Sequence, residues 1–178
     1  QSLGANNQEQ TKNYIQAAFQ SSLFFALIYG IIIIVFQKYL IQLFNLSDPA
    51  IIQDAQNYLW ITCGFIVFSF VNQIFTGILT AAGHSKSTFI ATTTGLVLNL
   101  ILDPILIFVF NLKVIGAALA TILAQTIVTL VFLYNAKNLD LFRNIRILSK
   151  PELNHISEIL KIGFPSSVQS MLFTCISM

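Results

Sequence analysis

Charged residues are scarce in this chain. They make up 9% of its 178 residues, and 56% of the residues are hydrophobic, whereas a soluble domain carries about 25% charged residues. Too little polar surface remains to cover a soluble globule, so we classify the chain as a membrane protein. The net charge is only +2, and no basic patch is interleaved with aromatic residues. We therefore expect no nucleic-acid partner.

The groups that enzymes use are also missing. Cys63 and Cys175 are the two cysteines. Both lie in apolar runs without a second ligand at metal-binding spacing, and we interpret them as small buried apolar side chains. The sequence shows no glycine-rich phosphate loop and no Ser–His or Cys–His pair placed for nucleophilic catalysis. We expect neither an enzyme nor a cofactor.

The two ends of the sequence favour a piece of a longer protein. It begins QSLGANN, without an initiator methionine or a signal peptide, and it ends ISM within a run that is still apolar.

Long hydrophobic runs are what the sequence has instead. Five stretches reach the length of about 20 residues that crosses a bilayer, which predicts an all-α, polytopic bundle of membrane helices. Short polar connections with turn signals at Asp48-Pro49 and Gly83 indicate antiparallel neighbours. We expect 45–56 to be a loop and Pro165 to kink the last span. The predicted spans are 14–40, 57–82, 87–110, 114–136 and 156–178.

The basic residues predict an orientation. All Lys and Arg except Lys38 and Lys113 fall in the amino-terminal segment, in the Gly83 turn, or in and just after the long charged stretch 137–155. The positive-inside rule places these segments in the cytoplasm. We expect 137–155 to be a cytoplasmic loop that lies partly along the membrane surface.

Asp103 is the only acidic residue in the apolar interior of a predicted span, since the other six acids, Glu158 among them, lie in loops or at span ends. A carboxylate at bilayer depth costs at least about 2.5–3.5 kcal/mol, so we expect it to face protein or water. Asn99 precedes it by one turn on the same helix face, and the two offer hard oxygen donors that suit a hard cation. The alternative is a protonated Asp103 that only hydrogen-bonds a neighbouring helix. A single acid also excludes an intramembrane aspartyl protease, which needs two.

Pro104 follows Asp103 directly. It lacks the amide hydrogen that would bond back one turn, so it frees a carbonyl near Leu100. Two interpretations stay open: a hinge whose freed carbonyl is a further cation ligand, or a kink that membrane helices tolerate.

Depth in the membrane makes Thr121 a third candidate for the site of Asn99 and Asp103. Asp103 and Thr121 each lie about seven residues from the predicted outer end of consecutive spans, or about 10 Å deep at about 1.5 Å per residue. A stripe of small residues, Gly116, Ala120 and Ala124, predicts that the two spans pack closely. The alternative for Thr121 is a bond to a carbonyl of its own helix.

Other polar residues inside the spans admit two interpretations. They either join helices by hydrogen bonds or line a water-filled cavity. The candidates are Asn72, Gln73, Gln125, Ser166 and Gln169.

Several motifs resemble one known family when they are taken in order. They are QSLGANNQEQ, ILTAAGHSKSTFI, LNLILDPILIF followed by IGAALATILAQ, and LKIGFPSSVQSMLF. Their order and spacing resemble the multidrug and toxic compound extrusion (MATE) family of secondary transporters. The resemblance covers essentially the whole chain, as helices three to seven of twelve. It implies that 1–136 belong to the amino-terminal lobe and that 156–178 begin the carboxy-terminal lobe.

The resemblance also implies a function. Two six-helix lobes would alternate between outward-open and inward-open states in the plasma membrane of a bacterium, and drug-like, often cationic molecules would leave as Na⁺ or H⁺ enters. By motif match, Asn99, Asp103 and Thr121 fall on the family's amino-terminal cation site, which also uses an aspartate of helix one. The expected partners are an organic substrate, the lipid bilayer and the rest of the same protein.

Two alternatives remain beside the antiporter. A lipid-linked oligosaccharide flippase of the same superfamily would favour a cationic cavity, which the lack of Lys and Arg in the middle of the spans disfavours. A non-transporting membrane assembly subunit would use Asp103 only to pair helices.

Overall fold

The computed structural model describes residues 8–44, 48–137, 139, 142 and 153–176. Every regular element in these ranges is helical, which confirms the all-α prediction. A π-helical segment, Ile105–Val109, follows α4 directly. The helices are α1 (Gln8–Gln42), α2 (Pro49–Gly64), α3 (Ile66–Ala81), α4 (Ser85–Pro104), α5 (Lys113–Lys137) and α6 (Leu153–Ile176).

Four helical stretches among the described residues are long and apolar enough to cross a membrane. They are α1, α4 with its π-helical segment, α5 and α6, and the bent pair α2–α3 forms a fifth span if it is taken as one. Large apolar side chains such as Phe24, Leu100 and Phe108 stand on the outside of these helices. Such surfaces are expected in lipid, where apolar side chains face the acyl chains.

The chain divides into two compact units. One contains residues 1–21 and 141–178, and the other contains residues 22–140. In the first unit the Tyr14 hydroxyl donates a hydrogen bond to Glu158, and the Tyr14 ring meets the His155 ring edge-on, with centroids 4.8 Å apart. The first turns of α1 therefore group with α6. Most of the predicted loop 137–155 lies outside the described residues, and its last three residues are helical, because α6 begins at Leu153.

The expectation of a loop over 45–56 is wrong for most of that segment, because α2 begins at Pro49. Asp48 caps the helix, since its Oδ1 accepts a hydrogen bond from the Ala50 amide at 2.8 Å. Proline suits the first helical position, where no amide hydrogen is required. An Asp-Pro pair therefore signals the start of a helix as well as a turn.

The predicted span 57–82 is broken near its middle. α2 ends at Gly64 and α3 begins at Ile66, with a bend of 47° between their axes. Glycine is a poor helix former, by about 1 kcal/mol relative to alanine. Gly30 of α1 approaches the break, because a Cβ on Gly30 would lie 3.3 Å from the Cys63 carbonyl oxygen.

The turn at Gly83 forms as predicted. Gly83 has a φ of +82°, which glycine adopts without steric cost. Its amide donates to the Thr80 carbonyl at 3.1 Å, and the His84 amide donates to the Leu79 carbonyl at 2.8 Å. These two bonds close α3 with a Schellman motif, and α4 starts immediately afterwards at Ser85.

The two cysteines differ in their surroundings. Cys63 is buried, as expected, whereas Cys175 on α6 is exposed, so its predicted burial is wrong for this structure. α6 also continues through Pro165 without interruption.

Candidate functional site

The candidate site lies in the unit of residues 22–140, where α4 and α5 pack closely. Two glycines allow the approach. A Cβ on Gly95 would lie 2.5 Å from Cγ2 of Val128, and a Cβ on Gly116 would lie 2.7 Å from the backbone of Leu106. Both distances are too short for a real carbon, so the helices could not be this close with alanine at these positions.

The predicted stripe of small residues forms this contact. Gly116, Ala120 and Ala124 are all buried, at spacings of four that place them on one face of α5. The close packing of the two spans, predicted from these residues, is therefore confirmed.

The two glycine contacts also give the register of the antiparallel pair. Residue numbers rise along α4 and its π-helical segment as they fall along α5, from the pair Gly95 and Val128 to the pair Leu106 and Gly116. Interpolation between these pairs places Asp103 near the level of residues 119 and 120 of α5. Thr121 follows them directly in the sequence.

No hydrogen bond joins Asp103 to Thr121 in the part of the chain that the structure describes. Asp103 is partly buried. The Thr121 hydroxyl donates to the Ala117 carbonyl of its own helix at 3.1 Å, which is the arrangement noted above as the alternative for this threonine. Cation binding by this group of residues stays a prediction.

The Asn99 side-chain oxygen has no hydrogen-bond partner among the described residues, a condition that it shares with side-chain atoms of Ser22, Gln37 and Thr88. Oδ1 is buried and accepts no hydrogen bond from any described residue. A buried acceptor without a partner costs about 1–3 kcal/mol, and buried polar atoms are normally satisfied. The Asn99 side chain therefore has an unused acceptor in this structure.

Asn99 also lines a cavity of about 360 Å³ between α3, α4 and α5. None of the residues around this cavity carries a charge, and most are polar. The stacked rings of Phe75 and Phe132, with centroids 5.6 Å apart, bring an aromatic side chain to its wall. The lining residues are Ser69, Asn72, Gln73, Thr76, Thr92, Gly95, Leu96, Asn99, Ala124, Gln125, Val128 and Phe132.

A hydrogen-bond network holds α3 to α5 at this cavity. Nδ2 of Asn72 donates to the Gln125 backbone carbonyl at 3.0 Å and to Gln125 Oε1 at 2.7 Å. The Thr129 hydroxyl lies 2.8 Å from Asn72 Oδ1 and 2.9 Å from the Gln125 carbonyl oxygen, and its single proton is shared between these two acceptors. Asn72 and Gln125 therefore join helices and line the cavity at once, so the two open interpretations both apply to them.

Thr129 is the member of this network that sequence reasoning missed. It lies one turn after Gln125, so the spacing of four could have identified it. It is buried.

The remaining candidates fall into two groups. Gln73 lines the cavity from α3 and is exposed. Ser166 and Gln169 are exposed residues of α6, which belongs to the other unit, and the Ser166 hydroxyl donates to the Ile162 carbonyl. The lining of this cavity comes from α3, α4 and α5 alone.

Pro104 marks a change of helix type. α4 ends at Pro104, and the next five residues, Ile105–Val109, form a π-helical segment. The sequence predicted a span to 110 without this feature. Proline cannot donate to the carbonyl four residues earlier, and π-helical segments often occur at functional sites. The backbone next to Asp103 therefore departs from regular α-helix.

The sequence is similar to a known protein family and to two of its curated relatives. The sequence profile of the MatE family matches residues 1–105. Multidrug export protein MepA of Staphylococcus aureus is 39% identical over 121 residues, which are 65% of this chain and 26% of MepA. MepA of Staphylococcus saprophyticus is 29% identical over 175 residues, which are 90% of this chain and 37% of MepA.

Solved structures agree with these relatives. The inward-facing conformation of a multidrug resistance MATE family transporter of the MOP superfamily matches 93% of this chain with a TM-score of 0.83 and 26% identity. A MATE in the bent conformation matches 96% with a TM-score of 0.68 and 21% identity, which shows the fold alone. The chain spans 38% and 44% of the lengths of these two proteins.

Proposed function

Because this chain belongs to the MATE family, whose profile matches more than half of it, we propose that it is a segment of a multidrug exporter driven by cation entry. The chain is a multi-pass protein of the cell membrane. The proposed exporter moves drug-like organic molecules, often cations, outwards as Na⁺ or H⁺ moves inwards. The multidrug export names of its relatives support this proposal.

The unpartnered Oδ1 of Asn99, one turn before the Asp103 carboxylate, is the observation that carries the coupling proposal. An amide oxygen and a carboxylate on one helix face form an oxygen donor set for Na⁺, and the carboxylate alone accepts a proton. Thr121 of α5 joins the proposed set if its hydroxyl turns away from the Ala117 carbonyl.

The physical mechanism follows from the charge of Asp103. An ionised carboxylate in the membrane favours a conformation that gives it water or donors, and a bound cation or proton removes that requirement. The ion therefore changes the balance between two packings of the helices. A substrate with different affinities for the two packings is then coupled to the ion.

The cavity supports the export of organic molecules. Its wall is polar but uncharged, and it includes one face of aromatic character. A flippase for pyrophosphate-linked lipids would call for cationic residues here, and none of the lining residues is cationic. The antiporter is therefore favoured over the flippase.

Transport by the complete protein that contains this segment tests the proposal. In proteoliposomes, we expect efflux of a cationic dye when a Na⁺ gradient or a pH gradient is imposed, and only leakage when neither is imposed. Dye movement that is independent of both gradients would contradict coupling. Protection of the purified protein from thermal unfolding by Na⁺ or by a change of pH would separate a transporter site from an assembly residue.

Replacing Pro104 by alanine tests the hinge. Alanine restores the amide hydrogen and favours continuous α-helix over the π-helical segment, so we expect dye efflux to slow at least about threefold. This corresponds to a barrier that is about 0.7 kcal/mol higher, with dye affinity unchanged. The matched control is Pro49→Ala, at a helix start where no hinge is expected. Unchanged efflux by Pro104→Ala would make Pro104 a tolerated kink.

A further inference from the structure

The backbone dictates the orientation of the Asn72 amide. One terminal atom of that amide lies 3.0 Å from the Gln125 carbonyl oxygen, which can only accept, so this atom must be Nδ2. The second proton of Nδ2 is directed to the Gln125 side chain at 2.7 Å. The Gln125 atom at that position must therefore be the acceptor Oε1. Asn72 Oδ1, on the opposite side, accepts from Thr129.

These hydrogen bonds determine which group of the Gln125 side chain is free to face the cavity. Since Oε1 is held by Asn72, the NH₂ group of Gln125 is directed away from that contact. Among the described residues, no group accepts a hydrogen bond from Nε2, and Nε2 is not among the buried atoms without partners. Gln125 lines the cavity, so its NH₂ group is available as a donor there.

We propose that Asn72 is a positioning residue for substrate selection. By holding the Gln125 amide in one orientation, it makes α5 present an N–H donor to the cavity, and it thereby favours substrates that carry a carbonyl or similar acceptor oxygen. Asn72 itself is buried and has both protons engaged, so it acts through Gln125. This inference rests on the proposed function, because it needs a transporter that uses this cavity.

Two permanent cations that differ in acceptor groups test this selection in the complete protein. Rhodamine 6G carries an ester carbonyl, and tetraphenylphosphonium has no hydrogen-bond acceptor. With Asn72→Leu, of similar volume, Gln125 loses its fixed orientation. We expect the KM for rhodamine 6G to rise about fivefold to tenfold and kcat to stay unchanged, as one lost hydrogen bond would produce. The KM for tetraphenylphosphonium should stay within about twofold.

A second variant keeps the test valid if Asn72→Leu fails to fold. Gln125→Met preserves the length of the side chain and removes the donor itself, so we expect the same selective rise in KM. Thr126→Val is the matched control on α5. Its hydroxyl donates to the Ile122 carbonyl of its own helix, and both cations should keep their KM values.

The outcomes distinguish the inference from the function on which it rests. Equal losses for both cations in a folded Asn72→Leu or Gln125→Met protein would overturn the inference and leave the exporter in place, because a structural defect affects all substrates alike. A parent protein that moves neither cation under a Na⁺ or pH gradient would overturn the proposed function and this inference with it.

Discussion

Asp103→Asn is expected to abolish gradient-driven efflux by the complete protein. Asparagine has the same shape but can neither carry the negative charge nor take up a proton. Loss of a charged partner from a desolvated site typically costs about 2–5 kcal/mol, and each 1.4 kcal/mol is a factor of ten. We therefore expect the affinity for the coupling ion to fall about 100-fold or more. Dye efflux from proteoliposomes under Na⁺ and pH gradients, measured in parallel, gives the result.

The matched control for this variant is Asp54→Asn, which makes the same chemical change. Asp54 lies on α2 near its start, and it does not line the cavity. We expect its efflux to equal that of the parent. Full efflux by Asp103→Asn would instead make Asp103 a structural hydrogen-bonding residue and would place the coupling site elsewhere in the complete protein. Loss under only one of the two gradients would identify the coupling ion.

Gly116→Ala is expected to give the largest loss of stability among single methyl additions. The new Cβ would lie 2.7 Å from the carbonyl carbon and oxygen of Leu106 and 3.0 Å from the Ile107 amide nitrogen. These are backbone atoms, so no change of rotamer relieves the contact, and the helices must separate. Overpacking typically costs about 1–3 kcal/mol, and we expect the upper end. Unfolding of the purified protein in mild detergent measures the change.

Two further glycine-to-alanine substitutions serve as comparisons for the loss of stability in Gly116→Ala. At Gly77 on α3 a Cβ would meet no atom within 4 Å, so Gly77→Ala should stabilise the helix by about 0.5–1 kcal/mol. At Gly95 the contact is with a side-chain methyl of Val128, so Val128→Ala should relieve the strain of Gly95→Ala. A Gly116→Ala protein as stable as the parent would show that the π-helical segment and α5 are not in close contact there.

The helices and their number were largely predictable from composition. Runs of about 20 apolar residues must form hydrogen bonds internally when they lie in lipid, so length and hydropathy alone predict the spans. Helix boundaries were less predictable where the same pair of residues occurs in two structural contexts. Asp48-Pro49 occurs in turns and at helix starts, and only the bond from the Ala50 amide to Asp48 decides between them.

Spacing along the chain was enough to identify the unusual residues: Asp103 in the apolar interior of a span, Asn99 one turn before it, and the small residues of α5. These follow from local spacing and from the cost of burying charge. Other features are absent from the spacing of residues along the chain. Glycine and proline contribute locally to the break at Gly64 and Phe65 and to the π-helical segment after Pro104, but only the structure shows their bounds. The bonding of Asn72 to Gln125 and Thr129 depends on the contact between α3 and α5. The orientation of one amide is set by a carbonyl 53 positions away in the sequence, which no local pattern encodes.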